Sequence, residues 1–208
     1  MPIIKDYSLN YSTRVIIWKI TESESKLMSG INFINSDINR MNQINSDMNR
    51  KGYIAIRRIL KYLNYKSKDI KYEKNGKPFL LNENCISISH SFKMAMVGIS
   101  KKKIGIDIEK KRNKILNISK KFINKNEKFS LNKKDSLKFL TRIWTVKEAL
   151  YKSFGKSGIN FSEQIIVSPF EIEDNNGNAS IICDKLIKSF SLTFVDLEDY
   201  CATIALPN

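Results

Sequence analysis

Residues 104–109 read Ile-Gly-Ile-Asp-Ile-Glu, isoleucine alternating with glycine or a carboxylate. This period of two predicts a strand with Ile104, Ile106 and Ile108 on one side and Asp107 and Glu109 on the other. Two carboxylates on one strand face repel each other. A bound cation relieves that repulsion most directly, and hard oxygen ligands favour Mg²⁺. An exposed edge strand with solvated acids shows the same pattern, so the strand alone does not decide between the two.

Downstream, a helix is expected over Asn117–Phe129 and a longer one over Asp135–Phe154, with Asp135 as its N-cap and Gly155 just past its end. The longer helix contains Arg142-Ile143-Trp144-Thr145-Val146-Lys147-Glu148-Ala149-Leu150-Tyr151-Lys152. Trp144, Glu148, Tyr151 and Lys152 share one side by i, i+4, i+7 and i+8 spacing. As an exposed i, i+4 pair, Glu148 and Lys152 give about 0.3–0.5 kcal/mol of helix support. As a functional group, a third carboxylate beside a lysine completes a metal site and neutralises a leaving phosphate. Strands are expected over Ile165–Ile172, Ala179–Ile182, Phe190–Asp196 and Ala202–Leu206.

Upstream, Lys93–Ser100 and Cys85–Ser89 read as strands, preceded by a turn at Asn75-Gly76-Lys77-Pro78. In Ile86-Ser87-Ile88-Ser89-His90-Ser91 the single histidine of the chain sits at the strand end among three hydroxyls, a pattern suited to an oxyanion or phosphate; a lone histidine is also commonly structural. Nothing there matches the order of a hydrolase triad. Arg14–Ile20 reads as the first strand, and Thr21–Leu63 as helical, with Ile56, Ile59, Leu60 and Leu63 forming an apolar face. Ile34-Asn35-Ser36-Asp37-Ile38-Asn39-Arg40 recurs as Ile44-Asn45-Ser46-Asp47-Met48-Asn49-Arg50; two copies make no solenoid and read as drift or as helices separated by Ser-Asp caps. Helices packed on a few strands on each side of residue 100 define an α+β class, with halves at 1–100 and 101–208.

Composition sets the outer limits. The chain has 208 residues and a formal net charge of +15, with 42% hydrophobic residues, enough to bury a core. Four prolines and eight glycines exclude collagen-like and linker-like architectures. The charge suits a nucleic acid, an anionic membrane, a phosphorylated ligand or an acidic protein. Cys85, Cys183 and Cys201 are widely spaced and odd in number, which argues against a disulfide framework or zinc knuckle. The first ten residues, with Lys5 and Asp6, lack the apolar core of a signal peptide, and no apolar run approaches the ~18 residues of a membrane span. A cytoplasmic, reducing location is the expectation.

In order, Asn75-Gly76-Lys77-Pro78, Ile88-Ser89-His90-Ser91, Gly105-Ile106-Asp107-Ile108-Glu109 and Trp144-x-x-Lys147-Glu148-Ala149-x-x-Lys152 resemble the 4′-phosphopantetheinyl transferase superfamily, in its larger, surfactin-synthetase-activating type. The resemblance implies a pseudo-dimer of two similar α+β halves with the active site at their interface. It implies Mg²⁺-dependent transfer of the phosphopantetheine arm of coenzyme A to a serine of an apo acyl or peptidyl carrier protein, releasing 3′,5′-ADP. By the same resemblance Asp107, Glu109 and Glu148 hold Mg²⁺, and Lys152 stabilises the departing ADP. Lys77, Pro78, Ser89, His90 and Lys147 contact coenzyme A; Arg50 and Arg57 are candidates for its 3′-phosphate, with Arg40 as a fallback. Glu127 falls where some relatives place a general base, the competing assignment being Glu148 through a metal-bound water. Many relatives follow the helix with Gly-Lys-Gly, whereas this chain has Gly155-Lys156-Ser157-Gly158. The expected partner is an acidic carrier protein, without nucleic acid or membrane, and the expected state a monomer. Two alternative functions compete with the transferase. One is a basic nucleic-acid-binding module, suggested by charge and by Phe122, Phe129 and Tyr151 among lysines, though no RNP motif or zinc finger is present. The second is a family member that binds coenzyme A or a carrier protein without turnover.

Overall fold

Val15, Ile16, Ile17 and Trp18 form a run too apolar to face water, and the chain buries all four in the middle of a sheet. The structure is a computed structural model and describes residues 2–10, 12–127, 135–183 and 186–208. It divides into two compact units, Met1–Lys102 and Lys103–Asn208.

The first unit runs β1 (Ile3–Asn10), β2 (Thr13–Lys19), α1 (Glu24–Met28), α2 (Asn35–Asn42), α3 (Asp47–Tyr62), β3 (Ile70–Tyr72), β4 (Pro78–Leu80), β5 (Cys85–Ser91) and β6 (Met94–Ser100). Its main sheet is antiparallel with order β1-β2-β6-β5, and β3-β4 form a separate ribbon. Ile54, Ile59 and Leu60 of α3 pack with Ile16, Trp18, Val97 and Ile99 of the sheet.

β1 does not announce itself in the sequence. Lys5 and Asp6 interrupt its apolar alternation because it is an edge strand with one side in water. The region read as one helical stretch is three helices, and both copies of the seven-residue repeat start one, in different registers. In the second copy Ser46 is the N-cap, its hydroxyl accepting from the Asn49 N–H. In the first copy the helix starts two residues earlier, with Ile34 at the N-cap position, and Asp37 reaches back to accept from the Ile34 N–H.

The second unit runs β7 (Gly105–Lys110), α4 (Lys114–Ile118), α5 (Ser136–Phe154), β8 (Ile165–Val167), β9 (Asn176–Cys183), β10 (Leu186–Leu197) and β11 (Tyr200–Pro207). Its sheet is antiparallel with order β7-β11-β10-β9-β8. Phe139, Ile143, Val146 and Leu150 of α5 pack against Ile165, Ile181, Phe190 and Leu192. Gly155 ends α5 in the left-handed region, at φ 74°, its N–H bonded to the Tyr151 carbonyl. Asp135 occupies the N-cap position.

The helix expected at Asn117–Phe129 is instead the short α4 followed by single 3-10 turns at Ser119–Lys121 and Lys125–Glu127. Asparagine competes with the helix here: the Asn124 side chain accepts from the Asn126 N–H, and Glu127 turns inward to accept from the Asn124 N–H. Lys128 and Phe129 lie outside the described residues. The strand expected at Ile165–Ile172 stops at Val167. Both units share one chain order: a strand (β2, β7), a long helix (α3, α5), then a hairpin (β5-β6, β10-β11) whose second strand pairs with the first strand. Among the described residues no helix is long and apolar enough to cross a membrane.

Candidate functional site

Gly105 opens β7 because α5 lies directly on it: a Cβ there would stand 1.8 Å from the Ala149 carbonyl oxygen. This close approach identifies the face of β7 turned to α5. Strand alternation then turns Asp107 and Glu109 to that same helix face. Asp107 is only 4% exposed, so a solvated edge strand is ruled out for it. Its Oδ1 accepts from the Lys152 ammonium at 2.7 Å, and the same ammonium donates to the Ile106 carbonyl at 3.2 Å. Lys152 is therefore tied to β7, and the plain surface pair with Glu148 is not what it makes.

Glu148 lies one helical turn before Lys152 on α5. Burial, then the Asp107 and Glu109 carboxylates, push its carboxyl up to about 7, against the opposing pull of the Lys152 ammonium. Three carboxylates and one ammonium thus share one electrostatic environment on the β7–α5 seam. Beneath it, the Thr145 and Thr203 hydroxyls bond at 2.8 Å, and Thr203 pairs with Asp107 across β11–β7. Beside Glu109 a cleft of about 190 Å³ is walled by Ile115, Thr141 and Trp144 and rimmed by Lys110, Arg112 and Lys114.

The donor chemistry of this seam suits Mg²⁺: it is all oxygen, and its mutual repulsion is what a divalent cation removes. Among the described residues, however, no group of three metal-ligating side chains is already drawn together around one point, and Lys152 occupies an oxygen of Asp107.

The remaining expected site residues lie elsewhere. Lys147 is fully buried, and its ammonium donates to the Phe161 and Ile165 carbonyls and pairs with Glu127 Oε2 at 2.8 Å. Glu127 is equally buried and accepts from the Val167 and Asn124 N–H groups. Burial pulls the Lys147 ammonium below the usual lysine range, and Glu127 pulls it back. Lys147, expected to contact coenzyme A, and Glu127, expected as a general base, are thus both fully buried and paired with each other. Adjacent helix residues point about 100° apart, so Lys147 and Glu148 serve different sides of α5.

Arg57, a candidate for the 3′-phosphate, is also buried. Its guanidinium is buried on Asp37, takes the Tyr53 and Tyr72 hydroxyls as further acceptors, and stacks on the Tyr53 ring. Arg50 is engaged by Glu24, Asp47 and the Ile44 carbonyl. Arg40 is exposed in the last turn of α2.

β5 continues through His90 to Ser91, and its unbroken pairing puts Ser87, Ser89 and Ser91 on one face and His90 on the other. The serines are buried and the histidine exposed, so hydroxyls and imidazole do not converge as expected. His90 instead lies against Gly52 of α3, where a Cβ would come within 2.9 Å of the ring. That glycine inside a helix, unfavourable by about 1 kcal/mol against alanine, is the sequence signal for the contact. Lys77 and Pro78 are half-buried at the β3–β4 turn, where Gly76 has φ 84° and the Lys77 N–H bonds the Asn75 side chain.

The chain belongs to the 4′-phosphopantetheinyl transferase superfamily, whose sequence model matches residues 103–205. A 4′-phosphopantetheinyl transferase gsp of Aneurinibacillus migulanus is 31% identical over 140 residues, 60% of this chain and 59% of that protein. A 4′-phosphopantetheinyl transferase of Bacillus subtilis is 33% identical over 86 residues, 39% of this chain and 38% of that one. The 4′-phosphopantetheinyl transferase Sfp of Bacillus subtilis strain 168 is 30% identical over 113 residues, half of each chain. The matches thus span between about four and six tenths of these relatives' lengths.

Proposed function

We propose that the chain transfers the 4′-phosphopantetheine moiety of coenzyme A to a serine hydroxyl of an apo acyl or peptidyl carrier protein, releasing 3′,5′-ADP. What supports this reading is the β7–α5 seam, where Lys152 bonds Asp107 and the Asp107 and Glu109 carboxylates act on Glu148. Asp107, Glu109 and Glu148 would hold Mg²⁺, which when bound neutralises negative charge on the pyrophosphate.

The chain's own groups do the rest. Lys152, a partly exposed cation on a rigid helix, stabilises charge on the leaving 3′,5′-ADP. The serine proton is assigned to Glu148, with Glu127 the alternative base. Lys77, Pro78, Ser89 and His90 of the first unit are assigned to the phosphates and adenosine end of coenzyme A. The basic rim of Lys110, Arg112 and Lys114 beside Glu109 suits an acidic carrier and raises its encounter rate. The shared chain order of the two units supports a pseudo-dimeric origin for the fold.

Incubation with coenzyme A, Mg²⁺ and an apo carrier protein tests this. The carrier gains the mass of one phosphopantetheinyl group; acyl and peptidyl carriers that both stay unmodified overturn the proposal.

A further inference from the structure

Lys147 and Glu127 form a buried ion pair in which every strong hydrogen-bonding group is used. The three ammonium protons of Lys147 go to the Phe161 carbonyl, the Ile165 carbonyl and Glu127. Glu127 Oε1 accepts from the Val167 N–H, and Oε2 accepts from the Asn124 N–H as well as Lys147. One side chain of α5 is thereby tied to three segments: the 3-10 turn Lys125–Glu127, the loop before β8, and β8 itself. Both side chains are 0% exposed, so the pair is shielded from salt and water.

This node stands next to Glu148 in the chain and five residues before Lys152. Elsewhere around the helix, Ala149 rests on Gly105, and the Thr145–Thr203 bond fastens α5 to β11. The helix is thus fixed on two sides, with Glu148 and Lys152 on the part held between. Buried pairs of this kind are weak sources of net stability, because desolvation of both charges offsets their attraction. What such a pair does well is to specify one geometry, since any displacement leaves charges unmatched in a dry interior.

We infer that the buried Lys147–Glu127 pair is a positioning device, which sets the register of α5 so that Glu148 and Lys152 meet Asp107. The inference rests on the transferase proposal for its kinetic consequence, but not for its structural one. Lys147 and Glu127 touch no substrate; they act through the backbone of α5.

Two variants test it: Glu127→Gln, which keeps size and an acceptor oxygen, and the double variant Lys147→Met/Glu127→Gln, which leaves no lone buried charge. Each is measured for folding, for steady-state carrier loading with KM and kcat separated, for the pH–rate profile, and for amide hydrogen exchange along α5. Positioning predicts a folded protein with kcat lowered about 10- to 100-fold, as sub-ångström to ångström misplacement does. KM for coenzyme A stays within about twofold, since no binding contact is lost. The pH–rate profile keeps its shape, and amides 148–152 exchange faster than in the parent. An unchanged kcat per folded molecule overturns the inference. So does a raised KM for coenzyme A at constant kcat, which marks Lys147 as a ligand contact. Loss of one limb of the pH profile in Glu127→Gln makes that residue the base and overturns it too. If the parent protein itself loads no carrier, the transferase proposal falls separately. Exchange alone then decides, with unchanged protection at 148–152 counting against positioning.

Discussion

The two units build the same chain order around different chemistry. In the first, β2 holds Val15, Ile16, Ile17 and Trp18, all buried, and α3 lays an apolar face with one arginine against its surroundings. In the second, the corresponding strand β7 carries Asp107 and Glu109, and α5 sets Glu148 and Lys152 against it. Each long helix also anchors one buried ion pair: Arg57–Asp37 from α3 and Lys147–Glu127 from α5. Those pairs occur in both units, whereas the carboxylate–lysine seam belongs to the second. The lesson is that one chain order carries an apolar central strand in the first unit and a carboxylate–lysine seam in the second.

The comparison breaks most sharply at Asp107. Asp107→Ala removes a carboxylate from the seam and takes from Lys152 its acidic partner. Carrier loading should fall by about 10³-fold or more while the circular dichroism spectrum is retained. Loading at the parent rate would move the chemistry away from β7.

In the first unit the large effect should be on stability instead. Arg57→Met leaves Asp37 buried without its cation, at a cost of about 3–5 kcal/mol in urea unfolding. Activity per folded molecule and KM for coenzyme A should stay unchanged. The pair also makes stability depend on pH. Burial acts to raise the Asp37 carboxyl, but the Tyr53 hydroxyl and the Arg57 guanidinium outweigh it and hold the group below its usual range. Its contribution is therefore complete above the unfolded value of about 3.9 and is lost as pH falls through the folded one. Unfolding free energies of parent and Arg57→Met should converge on acidification below about pH 4; a constant gap would show that the carboxylate is not responsible.

Gly105→Ala should link the two properties in the second unit. The added methyl meets the Ala149 carbonyl, so α5 must lift from β7 at a cost of about 1–3 kcal/mol. Misplaced Glu148 and Lys152 should then lower kcat about 10²-fold. A crystal structure of the variant with α5 unmoved would contradict this.

The smallest effect separates the two copies of the repeat. Ser46 caps α3 and Ser36 lies inside α2, exposed. Ser46→Ala should cost about 1 kcal/mol in thermal unfolding, and Ser36→Ala less than about 0.5 kcal/mol. Equal costs would mean that the shared heptapeptide acts in one register after all.

Strand β7 and helix α5 are legible in the sequence because their periods are clean and Gly155 marks the helix end. The face of α5 that matters is legible only in part. Spacing groups Trp144, Glu148, Tyr151 and Lys152, yet Trp144 and Tyr151 pack on Phe161 while Lys152 reaches β7. The Lys147–Glu127 pairing is not legible because the partners are twenty positions apart and sequence does not show burial. Asp37 and Arg57 are twenty positions apart, a pairing that only tertiary structure reveals. β1 escapes a pattern search because an edge strand with Lys5 and Asp6 in its middle lacks the alternation that burial imposes.

The proposed activity is transfer of phosphopantetheine from coenzyme A to a carrier serine at the β7–α5 seam. Its most direct test quantifies holo-carrier and 3′,5′-ADP in one reaction of the full chain with coenzyme A, Mg²⁺ and an apo carrier. Equal amounts of both products are predicted, and neither when the carrier serine is replaced by alanine. Intact coenzyme A beside unmodified carrier would contradict it.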